Sequence, residues 1–229
     1  MNIFITGTGT GVGKTVVTAG LAAVMQGLGY TMGVYKPVQT GEISDTEFVE
    51  SIDSNILTKV TYSLRCPAAP SVAAILDNVK IHKNSIKADY EDMAEQCDFV
   101  ITEGAGGLLV PVAEKFMMRD LAKMLNLPVL IVARPDLGTI NHTLLTIEAA
   151  RIVGLDVRGV VISNYPKDTD DIAIKTAPDV IKELSGVKIL GILPAVELAN
   201  PEVLIDTVIN NLDIQEIFRI KIPKLCHSR

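Results

Sequence analysis

Nowhere does this sequence sustain the roughly 18 uninterrupted apolar residues that a transmembrane helix needs. Its hydrophobic residues, 48% of the chain, are spread through short runs. No leader is visible either: Met1-Asn2 passes directly into Ile3-Phe4-Ile5, with no basic region and no small-residue cleavage site. A cytoplasmic protein is the expectation. Positive charge is in deficit, with 21 Lys and Arg against 27 Asp and Glu and a net charge of −6. That balance argues against a general nucleic-acid binder, because phosphate backbones recruit basic surfaces. Arg219, Lys221, Lys224 and Arg229, after Ile217, are too few to reverse it and read as a frayed end. Cysteine is rare as well. Cys66, Cys97 and Cys226 are odd in number and far apart, which fits neither a disulfide framework nor a C-x-x-C metal site and leaves ordinary thiols. No Ser/Gly/Pro-rich linker, internal repeat or low-complexity stretch divides the chain. Residues 1–229 are therefore expected to form one α/β domain, with a C-terminal tail from about residue 213.

What is present is an alternation of short apolar runs with longer amphipathic stretches. The runs Ile3–Thr6, Thr31–Lys36, Phe99–Thr102, Val129–Val132, Gly159–Ser163 and Lys188–Ile192 read as strands. Most are apolar throughout, as expected of strands covered on both faces in a parallel sheet. Helices are expected near 14–28, 45–60, 84–97, 139–153, 170–185 and 201–217, and residues 60–83 as a cover over the sheet edge. This order predicts a doubly wound, mainly parallel α/β sheet, with the working loops at the carboxyl ends of the strands. Four such loops are rich in Gly, Pro and hydroxyls: Gly7–Thr15, Lys36–Gly41, Glu103–Gly107 and Arg134–Gly138.

Gly7-Thr8-Gly9-Thr10-Gly11-Val12-Gly13-Lys14-Thr15 lies between a strand and a helix. A glycine-rich turn there lets backbone N–H groups converge on phosphate oxygens, and the helix N-terminus adds partial positive charge. Lys14 is placed for the β- and γ-phosphates, and the Thr15 hydroxyl for Mg²⁺. The strict pattern G-x-x-x-x-G-K-[ST] wants glycine at position 8, where this chain has Thr8; Gly7 sits one residue early. Partitioning ATPases of the ParA/MinD type share Val12-Gly13-Lys14-Thr15 but carry a further lysine at the position of Gly9. Small-molecule kinases would need an Arg-rich lid, and no Arg cluster stands out in mid-chain.

A Mg·ATP site needs hard oxygen ligands. Glu103 ends an apolar run and precedes Gly104-Ala105-Gly106-Gly107, so it stands where a metal-binding carboxylate belongs. Asp53, within Ser51-Ile52-Asp53-Ser54-Asn55, would by itself be a solvated helix-face acid. Lys36 finishes a buried strand just before Pro37, and a charge there must leave the core for the same edge crevice. In that crevice it would stabilise charge on a transferring phosphoryl group.

The ordered set Gly7-Thr8…Gly13-Lys14-Thr15, Tyr35-Lys36-Pro37-Val38-x-Thr40-Gly41, Glu103-Gly104-Ala105-Gly106-Gly107 and Leu137-Gly138-Thr139-Ile140-Asn141-His142 resembles the dethiobiotin synthetase family over roughly residues 1–200. The resemblance implies a seven-stranded P-loop NTPase-type sheet, a homodimer, and an ATP- and Mg²⁺-dependent ligase acting on 7,8-diaminononanoate and CO₂. It implies catalytic roles for Lys14, Lys36 and Thr10. Nucleotide contacts would come from Gly11, Val12, Gly13, Lys14, Thr15, Val16, Asp53, Glu103, Gly104, Ala105 and Gly106, with Asn164 and Pro194 around the base. The metal would be held by Thr15, Asp53 and Glu103. Substrate would meet Thr10, Lys36 and Thr40, and its remote carboxylate Gly138, Thr139 and Asn141 of the other subunit. Two departures stand out. Some members carry an acid where this chain has Gly9 or Gly11, and many have Asp where it has Tyr165.

Two other readings share the fold. A partition ATPase would need the extra loop lysine and a membrane- or DNA-binding surface. A cobyrinate-diamide-type ligase would need a glutaminase domain with a nucleophilic Cys, for which the chain is too short.

Overall fold

The computed structural model describes residues 1–196 and 200–221; Lys224, Cys226 and Arg229 lie outside them. The chain runs β1 (Ile3–Gly7), α1 (Lys14–Gly27), β2 (Met32–Thr40), α2 (Asp45–Ile52), β3 (Leu57–Leu64), α3 (Pro70–Leu76), α4 (Lys83–Gln96) and β4 (Phe99–Gly107). A short antiparallel hairpin, β5 (Pro111–Ala113) and β6 (Phe116–Met117), leads to α5 (Met118–Met124) and β7 (Val129–Ala133). Then follow α6 (Thr139–Ile152), β8 (Val157–Tyr165), α7 (Ile172–Ser185), β9 (Ile189–Pro194), α8 (Pro201–Asn211) and α9 (Ile214–Phe218).

Seven strands make one sheet in the order β3-β2-β4-β1-β7-β8-β9, and every pairing in it is parallel. β1 and β7 are buried at every residue, which is why their sequences show no polar alternation. One face is covered by α1, α2, α8 and α9, the other by α3 to α7. After β1 the chain builds toward β3; after β4 it builds toward β9. The reversal occurs beside β1, and in such sheets that point opens the crevice where ligands bind. Among the described residues no helix is long and apolar enough to cross a membrane.

Three expectations need correction. The helix expected over 45–60 stops at Ile52, and Leu57–Leu64 is the edge strand β3. Its β-branched Thr58, Val60 and Thr61 suit an extended, half-buried strand better than a helix. The helix expected over 201–217 is two helices, because Leu212 leaves helical geometry to bridge Gly191 of β9. The tail expected from about residue 213 is folded as far as α9, with Ile214, Ile217 and Phe218 in the core. The Phe218 ring meets Phe99 edge-on, centroids 5.6 Å apart. Arg219, expected in a frayed end, closes α9 and lies 3.7 Å from Asp156.

α1 and α8 pack tightly at Gly20. A Cβ on Gly20 of α1 would lie 2.5 Å from Val208 Cγ2, so these helices touch without room for a side chain. Gly20→Leu should overpack this seam and cost roughly 1–3 kcal/mol. Urea denaturation would report it as a lowered midpoint at constant slope, and an unchanged midpoint would contradict the close contact.

Candidate active site

The loop between β1 and α1 is shaped by two glycines. Gly13 caps α1 at φ 92°, where side chains are rarely tolerated, and a side chain there would also run into the Ser163 hydroxyl of β8. A Cβ on Gly7 would lie 2.7 Å from both the Gly9 carbonyl oxygen and Val12 Cγ2. The glycine that seemed misplaced in the motif is thus the one at which the loop folds back on itself. Position 8 needs none, since Thr8 uses its backbone N–H to bond Val132 on β7 at 3.0 Å.

Lys14 begins α1, is 8% exposed, and donates from Nζ to the Gly9 carbonyl at 3.3 Å. Burial holds its pKa below the ordinary lysine value; Glu103 opposes that shift and Lys36 adds to it. Lys36 leaves the sheet within β2 and is 3% exposed. Its Nζ lies 2.5 Å from Asp45 Oδ2 and 2.8 Å from Glu103 Oε1, and donates to the Gly104 carbonyl at 3.3 Å. Burial disfavours this ammonium, but Glu103 and Asp45 outweigh it, so its pKa sits above the usual value. Asp45 shows the converse. Burial would raise its pKa, but Lys36, the Thr15 hydroxyl and Lys14 hold it below the usual carboxylate range.

Asp45, not Asp53, is the acid brought to the phosphate loop. Asp53 ends α2 and accepts from the backbone and side-chain amide of Asn55 at 2.9 and 2.8 Å. Asp45 opens α2 and meets Thr15. The physical reason is the length of α2: it turns away from the site after its first turn and carries Asp53 to its far end. The sequence holds a sign of this in Ser44-Asp45-Thr46-Glu47, the start of a capped helix; the Ser44 hydroxyl accepts from the Glu47 N–H at 3.2 Å. Gln39 fixes the approach, accepting from the Asp45 N–H at 3.1 Å and donating to the Ile43 carbonyl at 3.0 Å. Sequence reasoning missed both Asp45 and Gln39.

The Thr15 hydroxyl oxygen lies 2.9 Å from Asp45 Oδ1 and 3.0 Å from Glu103 Oε1. A hydroxyl has one proton, so only one of these contacts is a hydrogen bond at a time. Glu103 Oε2 is buried without a partner. Three hard oxygens converging with an unsatisfied carboxylate oxygen fit a Mg²⁺ ion. Among the described residues no group of three or more His, Cys, Asp or Glu could hold a metal. An ion held by two carboxylates and a hydroxyl would be completed by phosphates and water.

These groups line a cleft of about 740 Å³ together with Thr10, Gly11, Val16, Thr40, Ala105 and Gly106. Gly104 lies beneath, and Val12 is buried under the loop. Its far wall, Ile43, Pro67, Pro70 and Val110, is apolar and falls partly in the segment expected as a cover. Asn164, exposed at φ 58°, and Pro194 close β8 and β9 away from this cleft. Gly138, Thr139 and Asn141 start α6 beyond β7, also outside it. Thr139 is 2% exposed and its hydroxyl has no partner. A second groove of about 370 Å³ runs along α6 between Thr8, Gly9, Leu108, Val110, His142 and Leu145.

Residues 1–203 match the family described as an AAA domain. The chain is 40% identical over 202 residues to the ATP-dependent dethiobiotin synthetase BioD of Methanocaldococcus jannaschii, covering 85% of this chain and 94% of that protein. It is 35% identical over 227 residues to BioD of Bacillus velezensis, covering 96% and 97%. Among solved structures, MinD in the MinC:MinD cell division complex of Aquifex aeolicus superposes with a TM-score of 0.63 at 15% identity, covering 97% of each chain. The ParA family ATPase of Chlorobium tepidum gives 0.54 at 12%, covering 96% and 93%. At such identities these two structures speak for the fold alone.

Lys36→Met should leave two neighbouring carboxylates without their cation and cost about 3 kcal/mol in metal-free buffer. Millimolar Mg²⁺ should recover part of that loss in urea denaturation. A variant midpoint that ignores Mg²⁺ would count against a metal position between Asp45 and Glu103.

Proposed function

The chain belongs to the ATP-dependent dethiobiotin synthetase family and is an ATP-dependent ligase, and on that premise we propose that it joins CO₂ to 7,8-diaminononanoate. The products are dethiobiotin, ADP and phosphate. The observation that carries this reading is the Thr15 hydroxyl set between Asp45 and Glu103, with the Lys36 ammonium bridging the same two acids at the foot of the phosphate loop. It is a site for balancing the charge of a transferring phosphoryl group, and it holds no nucleophile of its own.

In the proposed sequence an amine of the substrate adds to CO₂ and loses a proton, giving a carbamate. A carbamate oxygen attacks the γ-phosphorus and ADP leaves, forming a carbamic–phosphoric anhydride. The second amine then attacks the carbonyl carbon, closes the five-membered urea ring and expels phosphate. Mg²⁺, held by Thr15, Asp45 and Glu103, would supply charge neutralisation at the phosphate oxygens. Lys14 and Lys36 would take up the negative charge at the phosphoryl and carbamate oxygens, with Thr10 and Thr40 bordering the carbamate. Burial that disfavours the Lys14 ammonium is offset once a phosphate stands beside it. Positioning and charge supply the catalysis.

The apolar wall of Ile43, Pro67, Pro70 and Val110 suits the alkyl chain of such a substrate. Its remote carboxylate would meet the start of α6 from the partner of a homodimer. Support comes from the buried, unpartnered Thr139 hydroxyl at the N-terminus of a 14-residue helix. The exposed Leu109, Leu137 and Leu145 near that groove offer an apolar surface for a second copy. Asn164 and Pro194 would flank the base.

Purified protein with Mg·ATP should release phosphate only when both the diamine and bicarbonate are present, with dethiobiotin in equal amount. Release without the diamine would overturn the assigned reaction. Lys14→Ala should lower kcat on the order of 10²–10³-fold, and near-normal turnover would sink the phosphate-loop role. Asp45→Asn should raise the Mg²⁺ concentration for half-maximal rate by about tenfold or more, while Asp53→Asn leaves it unmoved; the reverse pattern would return the metal to Asp53.

A further inference from the structure

β2 ends at Thr40 and α2 begins at Asp45, so residues 41–44 alone cross between them. Gly41 is tied to β3, its N–H donating to the Leu64 carbonyl at 2.9 Å. Between that tie and the cap of α2, the crossing hangs on one side chain. Gln39, 5% exposed, accepts from the Asp45 N–H at 3.1 Å and donates to the Ile43 carbonyl at 3.0 Å. Among the described residues no main-chain group donates to that carbonyl. The donor and acceptor of an amide side chain are fixed relative to each other, so this one sets Ile43 and Asp45 together.

Both residues line the nucleotide cleft, Asp45 beside Thr15 on its metal side and Ile43 in its apolar wall. The rest of that wall comes from elsewhere in the chain. Pro67 and Pro70 belong to the segment after β3, and Val110 stands just before β5. The two prolines are stiff and owe nothing to the start of α2. Ile43 is the member of the wall that shares a hydrogen-bonding partner with a metal-side acid. It is also 85% exposed, so its own packing does little to hold it. Gln39 lines no part of the cleft and reaches bound ligands only through these two residues.

We infer that Gln39 is a positioning residue that couples two ligands: metal seated at Asp45 sets Ile43 against the alkyl chain of the acceptor, and the acceptor in turn holds Asp45 for the metal. This role rests on the metal and acceptor positions proposed above. Such coupling is reciprocal, so each ligand tightens the other by the same factor.

The test is calorimetric titration of 7,8-diaminononanoate into the full chain with saturating ADP, once with Mg²⁺ and once with a chelator. The ratio of the two dissociation constants measures the coupling without any turnover. In the unaltered chain Mg²⁺ should tighten acceptor binding about fivefold or more. Gln39→Met, which fills similar space with neither donor nor acceptor, should bring the two constants together. Ile43→Ala, at a position too exposed to endanger folding, should do the same by cutting the other end of the link. Constants that already agree in the unaltered chain, or a ratio that survives in either variant, would overturn the coupling. So would an equal loss of affinity with and without Mg²⁺, which marks a structural role only. Absence of acceptor binding by the unaltered chain in both buffers would instead overturn the acceptor reading itself.

Discussion

A lysine ammonium that is 3% exposed has to be compensated where it lies, and in this protein two carboxylates do so. Lys36 comes from β2, Glu103 from β4 and Asp45 from the start of α2, so the charge triad ties adjacent strands and a helix together at the crevice. Removing water from any one of these groups alone would be costly. Paired in this way, the Lys36 pKa is pushed up and the Asp45 pKa pushed down. Within the triad, Glu103 Oε2 is the buried oxygen left without a partner.

The sheet topology makes this possible. β4 inserts between β1 and β2, which sets Glu103 level with Ile5 on one side and beside Lys36 of β2 on the other. α1 then points its N-terminus into the gap from the opposite face. The glycines of the Glu103–Gly107 run let that backbone pass close by: after a shift in register beyond Ile5 and Glu103, Gly107 pairs with Gly7. The apolar groove lies beyond it, continuous with the cleft at Val110.

Much of this was legible in the sequence. Gly13-Lys14-Thr15 announced the phosphate loop, and uniformly apolar runs such as Val129–Val132 announced central strands, because both signals are local. Glu103 was legible as a charge near the end of a buried run; Lys36, read as the last residue of its strand, lies inside β2, which stays buried through Gln39 and ends at Thr40. Asp45 was not, since its role depends on where α2 begins, and the sequence does not separate it from Asp53 without knowing that β3 follows. Edge strand β3 lacks a fully apolar stretch and so resembled the end of a helix. α9 was hidden because its three core residues, Ile214, Ile217 and Phe218, gain meaning only from packing against Phe99 and α1. Gly7 was misread as a departure, although its need for no side chain comes from the fold of the loop over it.

The α1–α8 seam bears on the order in which the chain assembles. Gly20 in α1 is sealed by Val208 and Leu204 of α8, residues close to the opposite end of the chain. During synthesis the apolar flank of α1 therefore stays uncovered until α8 has been made. Contacts so distant in sequence slow folding and expose intermediates to aggregation. The helix that follows the phosphate loop thus waits on α8 to complete its packing.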